Sequence, residues 1–542
     1  MKQRDDDAPP ELGPLVLIAV ALAALAWLLP AAVVFLTSGE TLRCSPGEAV
    51  AGTVHLIGEG RWSDPASAYP PTAQTQMPGA TAWWIAALAF LLTLGVAVGG
   101  VWRRLEPQVA RDRLGRRPYD WRGARPRAWA RRRDLDELGG RGGSGRFTLG
   151  TVDRRTLRSE PESHVAVVAP TRSGKTTRCV IPWLLEHDGP AIVTSTKRDV
   201  LDATHDWRAR RGRVWIFDPF GDASAQWDPL HGCEDWSRCL RQGQWLADAT
   251  QDGDSEVASY WRGEAAKLLA PLLHAAVLDD RRIDAVLEWL DTQEAREPAR
   301  ILKAAGSPAA ARQLQSVVAL DPRNKGTTFM SAGSVLAAYR FPEVLATARA
   351  GLTTAEFLDG APHTLYVIAS ERDQQLLAPI VVALLSSLLH AAADHAATAG
   401  PLEPTLRLLV DEAANIAPLR ELPRVLSQAA GHGVRVASIW QSLGQMRERY
   451  GAASDTILAN STTKLFMGPI TDEATRSYLL GLLGDEPRGN DGTPPTQSKA
   501  RASGLQQLDG DRALLVAGSA PPAIVGTSPW WRNRSLRLRV GR

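Results

Sequence analysis

The sequence predicts a doubly wound α/β fold with an all-α insertion, preceded by a two-helix transmembrane anchor. Three observations predict it: two long uncharged segments near the N-terminus, short apolar runs alternating with helical stretches after residue 145, and a region between about 230 and 355 where only the helical pattern continues. An apolar content of 44% over 542 residues is ordinary for a protein with a buried core. The net charge of +3 excludes a global basic field, so any nucleic-acid surface must be local.

The anchor is predicted from residues 15–36 and 82–101, neither of which contains a charged side chain. Each reaches the roughly 20 residues that a helix needs to cross about 30 Å of hydrocarbon. A cleaved signal peptide is the alternative for the first segment, although its apolar run is longer than is usual for one. We expect a hairpin over residues 15–102, with residues 1–14 in the cytoplasm and residues 38–80 as an extracytoplasmic loop.

The orientation of the anchor in the membrane follows from the arginines, which are frequent in the basic linker 103–145 and few in the loop 38–80. The positive-inside rule therefore places everything after residue 102 in the cytoplasm, in a protein that crosses the inner or plasma membrane twice. The linker arginines suit contact with anionic lipid headgroups, and DNA is the alternative ligand.

Beyond a glycine-rich boundary at 139–145, eight apolar runs have the composition of strands. Most are uncharged at core positions, as expected of parallel strands buried on both faces. We predict one α/β domain from residues 146–229 and 356–542, an all-α insertion at 230–355, and a mobile loop at 486–504. The predicted strands are HVAVVA at 164, AIVTS at 191, RVWIF at 213, LYVIA at 365, LRLLV at 406, VRVASI at 434, KLFMG at 464 and ALLVAG at 513.

A strand, loop and helix pattern with a phosphate-binding signature occupies residues 164–177, HVAVVAPTRSGKTT. The signature is G-x-x-x-x-G-K-[ST], and only Ala169 departs from it, which is tolerable if its φ is negative. Gly174 permits close backbone approach, Lys175 can reach the β and γ phosphates, and the Thr176 hydroxyl can bind Mg²⁺. The predicted nucleotide-binding residues of the loop are Pro170, Thr171, Arg172, Ser173, Gly174, Lys175, Thr176 and Thr177.

Two later predicted strands are followed by side chains that could act on a nucleotide bound at this loop. Asp411 and Glu412 follow the run LRLLV, where Asp411 can hold Mg²⁺ and Glu412 can orient or deprotonate the attacking water. Gln441 follows the run VRVASI, where its amide can sense the γ-phosphate; a polar residue at a helix N-terminus is the alternative. The predicted catalytic residues are Glu412, Lys175 and Gln441, the predicted metal ligands are Thr176 and Asp411, and the predicted cofactors are ATP and Mg²⁺.

The four cysteines include no CxxC pair, so reduced structural thiols are expected. A zinc site at Cys233 and Cys239 with His231 is disfavoured, because tetrahedral sites need four close ligands.

These motifs resemble the TraG-like coupling ATPases of type IV secretion and bacterial conjugation, and the version here looks most like the actinobacterial type. The resemblance extends over about residues 145–530 and is most specific in the block 408–451. The resembling stretches are APTRSGKTT, TSTKRDVLDAT at 194, VWIFDPFG at 214, YWRGEAAKLLAPLLHAA at 260, LLVDEAANIAPLRELPRVLSQAAGHGVRVASIWQSLGQMRERYG at 408 and ILANSTTKLFMG at 457.

The resemblance implies a membrane hairpin, a RecA-like motor with an inserted all-α domain, and a homo-hexameric ring. It assigns Lys197 and Asp218 to the ends of adjoining strands near the site, with solvated strand-end charges as the alternative. A ring ATPase also needs an arginine from a neighbouring subunit. The sequence does not choose among the candidates, and Ala430 and His432 stand where some relatives have arginine. The candidates are Arg424, Arg435, Arg447 and Arg449.

The expected function is that of an anchored ATPase that recruits a nucleoprotein and drives DNA or protein into a type IV secretion channel. Its expected partners are single-stranded DNA with a relaxase, the channel subunits and the membrane. An FtsK-like pump for double-stranded DNA is one alternative, and a docking receptor that binds ATP without moving cargo is another.

Overall fold

The computed structural model describes residues 13–93, 130–139, 145–222, 224–249, 256–483, 506, 508 and 510–541. The chain forms two compact units, Met1–Ala124 and Arg125–Arg542. Several predictions fall outside the described residues: the end of the second apolar segment, most of the basic linker and the loop 486–504.

The first unit is helical, and its apolar core includes Val33, Leu56, Tyr69 and Trp83. The segment between the two predicted spans is itself folded, because the helix that begins at residue 46 has a reciprocal capping box and its Thr53 bonds to the Tyr69 hydroxyl at 3.0 Å. The helices are α1 Gly13–Ser38, α2 Pro46–Gly58, α3 Pro71–Gln74 and α4 Ala80–Thr93.

The second unit is built on one eleven-stranded sheet, in the order β2-β1-β11-β10-β9-β3-β8-β7-β4-β6-β5. From β9 to β5 all neighbours are parallel, and from β9 to β2 they are antiparallel. The strands are β1 Thr148–Val152, β2 Arg155–Arg158, β3 Val165–Val168, β4 Ala191–Ser195, β5 Val214–Phe217, β6 Thr364–Ile368, β7 Leu406–Val410, β8 Val434–Trp440, β9 Thr463–Met467, β10 Arg512–Ala517 and β11 Ala523–Gly526.

All eight predicted apolar runs contain a strand. The run at 513 is not one of the parallel strands, because β10 turns directly into β11 and the two form an antiparallel hairpin. The prediction omitted β1, β2 and β11. These strands are short and partly exposed, so they lack the continuous apolar run by which buried strands are recognised.

Every described regular element between β5 and β6 is helical, and these helices share a continuous apolar core with the sheet. The helices of the second unit are α5 Ile181–Glu186, α6 Asp199–Ala209, α7 Trp236–Asp248, α8 Glu256–Leu278, α9 Ile283–Asp291, α10 Arg296–Ala304, α11 Pro308–Val318, α12 Pro322–Val335, α13 Pro342–Thr347, α14 Thr354–Phe357, α15 Gln374–Ala399, α16 Leu422–Gln428, α17 Leu443–Tyr450, α18 Ala453–Asn460, α19 Glu473–Leu483 and α20 Arg534–Val540.

Helix α15 is the one helix among the described residues that is long and apolar enough to cross a membrane. Because 78% of its most apolar window is buried within the protein, α15 has the character of a core helix. In the first unit, the apolar helical segments identified among the described residues are the shorter Ala26–Ser38 and Ala80–Thr93. The helix α1 as a whole contains the predicted span 15–36.

Candidate active site

The phosphate loop follows the buried strand β3, which is the central strand of the eleven-stranded sheet. Ala169 is fully buried, does not have a positive φ, and donates its N–H to the Trp440 carbonyl at 2.8 Å. An alanine therefore sits here without backbone strain, and the absent first glycine does not distort the loop. Gly174 does need to be glycine, because its φ is 80° and an added Cβ would lie 2.9 Å from Nε of Arg178.

The helix after the loop starts with a wide turn. Residues Thr176–Val180 form a π-helical turn, in which the Ile181 N–H donates to the Thr176 carbonyl. Pro182 follows the turn and has no N–H to offer the carbonyl of Arg178 four residues earlier, so regular α-helical bonding is interrupted at this point. The turn lies at the N-terminal end of the helix, where the backbone N–H groups give the partial positive charge that favours phosphate.

Three neighbouring strands place the remaining candidate residues. Strand β8 lies between β3 and β7 in the sheet, and all three run parallel. The carboxyl ends of parallel strands meet at one edge, so the phosphate loop, Gln441 after β8, and Asp411 with Glu412 after β7 converge there.

The predicted side chains make direct contact at this edge. Lys175 Nζ lies 2.5 Å from Glu412 Oε1 and 3.9 Å from Asp411 Oδ1. Thr176 Oγ1 donates to Asp411 Oδ2 at 3.3 Å, and Gln441 Nε2 donates to Glu412 Oε2 at 2.9 Å. These five residues form the active-site cluster.

Burial sets the electrostatics of the cluster. Asp411 is only 5% exposed, and burial together with the neighbouring charge of Glu412 raises the pKa of its carboxyl to about 6, although the Lys175 ammonium and the Thr176 hydroxyl act in the opposite direction. Thr194 on β4 donates its hydroxyl to the Asp411 backbone carbonyl at 2.9 Å. This anchoring residue was missed, because a threonine within an apolar strand gives no signal of its partner.

Glu412 has a left-handed backbone with φ of 56°, a conformation that is uncommon for residues other than glycine and is typical of functional sites. Its N–H donates to Asp411 Oδ1 at 3.2 Å, which supports the turn. With this backbone conformation, both carboxylates lie beside Lys175 of the phosphate loop.

Gly468 after β9 is a further residue that the sequence predictions missed. It has a φ of 73°, and an added Cβ would lie 3.0 Å from Cβ of Ser173 in the phosphate loop. Gly468 therefore lets the chain after β9 pass beside the loop. The available signal was a glycine that directly follows an apolar strand in KLFMG.

Lys197 and Asp218 do not follow adjoining strands, which corrects the prediction. Strand β6 lies between β4 and β5, and the sequence hides it because β6 comes about 150 residues later in the chain than β5. Asp218 accepts from Arg198 Nη1 at 2.8 Å, and burial raises the pKa of its carboxyl, against the lowering effect of Arg198. Lys197 is exposed.

The four arginine candidates differ in their surroundings. Arg435 is buried and donates to the carbonyls of Pro161 and Ala430, at 2.7 and 2.8 Å. Arg424 pairs with Glu421. The remaining two are Arg449, which donates to the Pro418 carbonyl at 3.2 Å, and Arg447, which is exposed.

The donor set of the cluster fits Mg²⁺ held together with a nucleotide. A hydroxyl from Thr176 and a carboxylate from Asp411 supply oxygen ligands, which Mg²⁺ prefers. Among the described residues there is no group of three or more His, Cys, Asp or Glu side chains that could hold a metal by themselves. Phosphates and water would therefore have to complete an octahedral shell here.

Comparison with known proteins agrees with this geometry. Residues 127–517, more than half of the chain, match the family described as "Type IV secretory system Conjugative DNA transfer". The chain belongs to this family. Its relatives include "Conjugal transfer protein TraG" of Escherichia coli, 24% identical over 323 residues, which are 54% of this chain and 50% of the relative. The TraG protein of Agrobacterium fabrum is 22% identical over 411 residues, which are 70% of this chain and 62% of the relative.

The chain thus spans about half to three fifths of the length of these TraG relatives. Similar solved structures include the bacterial conjugative coupling protein TrwB in complex with sulphate, with a TM-score of 0.55, 19% identity, and coverage of 76% of this chain and 96% of TrwB. TrwB in complex with an ATP analogue has a TM-score of 0.58, 18% identity, and coverage of 77% and 96%. This likeness shows the fold: the second unit shares the α/β architecture of TrwB.

Proposed function

We propose that this protein is a membrane-anchored ATPase that couples ATP hydrolysis to the transfer of DNA, with or without protein, into a type IV secretion channel. The observation that carries the proposal is the active-site cluster. A phosphate-loop lysine, a hydroxyl, two carboxylates and an amide converge from three neighbouring strand ends.

Each residue of the cluster has a role in this proposal. Lys175 bonds the β and γ phosphates, and backbone N–H groups of the loop cradle the rest of the phosphate chain. Thr176 and Asp411 hold Mg²⁺, which when bound neutralises phosphate charge. Glu412 orients the attacking water and accepts its proton, while Gln441 holds the second oxygen of Glu412 in position.

The ligands of the similar TrwB structures support the choice of nucleotide. One TrwB structure is described as a complex with ADP and Mg²⁺, with a TM-score of 0.53 and 19% identity to this chain. We propose the same nucleotide class and metal for the cluster described here, because its oxygen donors suit them.

We further propose an inner-membrane protein with two spans, in α1 and in the segment that begins with α4, and with the second unit in the cytoplasm. The apolar helical segments Ala26–Ser38 and Ala80–Thr93 support the anchor. We propose that residues 230–355 act as an all-α domain that receives cargo, and that the chain works as a homo-hexamer. Single-stranded DNA with a relaxase, and channel subunits, are the proposed partners.

ATP hydrolysis by the purified full-length chain in detergent tests the proposal. We expect single-stranded DNA to stimulate hydrolysis and Lys175→Ala to abolish it, whereas Lys303→Ala, at an exposed lysine on α10, leaves the rate unchanged. Stimulation by duplex DNA alone would favour the FtsK-like alternative. Nucleotide binding without any hydrolysis would favour a docking receptor and contradict the proposal.

A further inference from the structure

A groove separate from the active-site cluster runs along the helix that follows the phosphate loop. Its volume is about 390 Å³, which lies within the range of small-molecule sites. Arg178, Pro182 and Glu186 line the wall on the helix side, and β1, β2, the end of β11 and α20 line the other walls.

The groove is strongly basic. Its lining contains Arg146, Arg158, Arg178 and Arg539 against a single carboxylate, that of Glu186. Such an excess of positive charge in a concave site attracts anions, and guanidinium groups are the side chains best shaped to bind phosphate oxygens.

Three of these arginines are held by neutral oxygen atoms. Arg146 donates to the Ser159 carbonyl at 2.6 Å, and Arg539 donates to the Leu185 carbonyl at 2.7 Å. Arg178 Nη1 lies 3.4 Å from the Thr527 hydroxyl. Carbonyl and hydroxyl oxygens orient a guanidinium group without cancelling its charge.

In the part of the chain that the structure describes, Arg146, Arg178 and Arg539 form no ion pair with a carboxylate. Burial, and secondarily the positive charge of Arg158, lower the pKa of Arg146, against the raising effect of Glu160. An anion in the groove would offset the repulsion between Arg146 and Arg158.

The arginines of the groove extend to a position well away from the phosphate-loop lysine. Arg539 contacts the carbonyl of Leu185, which follows Lys175 by ten residues, or about 15 Å at the helical rise per residue. The partial negative charge at that end of the helix does not favour an anion, so the arginines alone would have to supply the attraction. At its other end, Arg178 packs against Gly174 of the phosphate loop.

We propose that this groove binds a small phosphorylated ligand of nucleoside monophosphate size, at a site distinct from the phosphate loop. The arginines would hold the phosphate, and the hydroxyls that line the groove, among them Thr148, Thr156 and Ser535, would bond the polar remainder of the ligand. Arg178 would connect occupancy of the groove to the phosphate loop.

Calorimetric titration of the full-length Lys175→Ala chain tests this proposal, because that variant lacks the phosphate-loop lysine. We expect adenosine monophosphate or inorganic phosphate to bind with a dissociation constant below about 1 mM. Arg539→Gln should weaken binding about tenfold or more, since it removes one charged contact. The matched control is Arg537→Gln, at an exposed arginine on the same helix, which should change nothing.

A second variant keeps every arginine in place and guards against a folding defect. Ser535→Glu adds a negative charge to the lining and should also weaken binding about tenfold, whereas Ser535→Gln should not. The proposal is overturned if neither probe binds to Lys175→Ala, or if Arg539→Gln and Ser535→Glu leave binding unchanged. ATP hydrolysis by the wild-type chain does not enter this test, so the two proposals can fail separately.

Discussion

Charged side chains are buried at both ends of the parallel strands, but the groups to which they bond differ between the two ends. At the carboxyl end, Lys175 contacts the carboxylates of Asp411 and Glu412. At the amino end, Arg208 and Arg407 are buried and their guanidinium groups donate mostly to backbone carbonyls. Side-chain partners can be exchanged for a ligand, whereas backbone partners cannot move without unfolding the loops that carry them.

At the amino end, Arg208 holds separate segments of the chain together. Arg208 joins the loop that precedes β4 to the first residue of β6. It donates to the carbonyls of His187 and Gly189, at 2.7 and 2.8 Å, and to the Thr364 hydroxyl at 2.6 Å. Burial lowers the pKa of Arg208 to about 10, so the side chain remains charged at neutral pH. Charge at this end therefore holds loops together, whereas charge at the carboxyl end forms the proposed active site.

The largest expected effect concerns the carboxyl end. Glu412→Gln should lower the rate of ATP hydrolysis about 1000-fold, because an amide cannot accept the proton of the attacking water. The measurement is single-turnover hydrolysis by the full-length chain, with nucleotide binding retained. Glu343→Gln, at an exposed glutamate on α13, is the matched control. A loss smaller than tenfold would remove Glu412 from the role of base.

The next effect belongs to the amino end. Arg208→Met should lower the free energy of unfolding by about 3 kcal/mol, because it leaves several buried carbonyl oxygens without a donor. Arg210→Met, at an exposed arginine that follows the same helix, should change it little. Chemical denaturation followed by tryptophan fluorescence gives both values. The comparison breaks down if Arg208→Met instead lowers the hydrolysis rate of protein that is still fully folded.

A smaller effect is expected from pH. The folded pKa of Asp411, about 6, lies above its ordinary value of 3.8, so between these pH values the folded state holds a proton that the unfolded state has released. Stability should therefore fall as pH rises from about 4 to about 6, by on the order of 2 kcal/mol. The measurement is unfolding in Mg²⁺-free buffer, where Asp411→Asn should remove this part of the slope. An identical slope in the variant would contradict the assignment.

The smallest effect concerns the residue where the phosphate-loop signature departs from its pattern. Ala169→Gly should change the hydrolysis rate by less than about twofold, because Ala169 is unstrained. It should cost about 1 kcal/mol of stability through the lost buried methyl group and the added chain entropy. A tenfold gain in rate would show that the alanine does impair the loop.

The two ends also differ in how well the sequence predicts them. Lys175, Thr176, Asp411, Glu412 and Gln441 were predicted together, because they lie in the phosphate loop or at the ends of apolar strands and the order of these motifs is informative. The hydrogen bonds of Arg208 at the amino end were not predicted, since an arginine that bonds to distant backbone carbonyls leaves no local sequence pattern. The position of β6 between β4 and β5 was missed for the same reason: strand order depends on contacts between residues far apart in the chain.

Local chemistry explains the remaining differences. Strands β1 and β2 are short and partly exposed, so their residues do not form a buried apolar run. The π-helical turn after the phosphate loop was not predicted, because Pro182, which follows it, is equally typical of a helix boundary. The role of Thr194 could not be predicted from its own strand, because its hydroxyl bonds to a backbone atom of Asp411 after the neighbouring strand.

In the proposed function, ATP hydrolysis at the carboxyl ends of β3, β8 and β7 drives DNA transfer. The most direct test is the frequency of DNA transfer between cells, in a donor strain whose own copy of this protein is replaced by Glu412→Gln at equal membrane abundance. We expect a frequency no higher than that of a strain without the protein. Transfer at the wild-type frequency would contradict it.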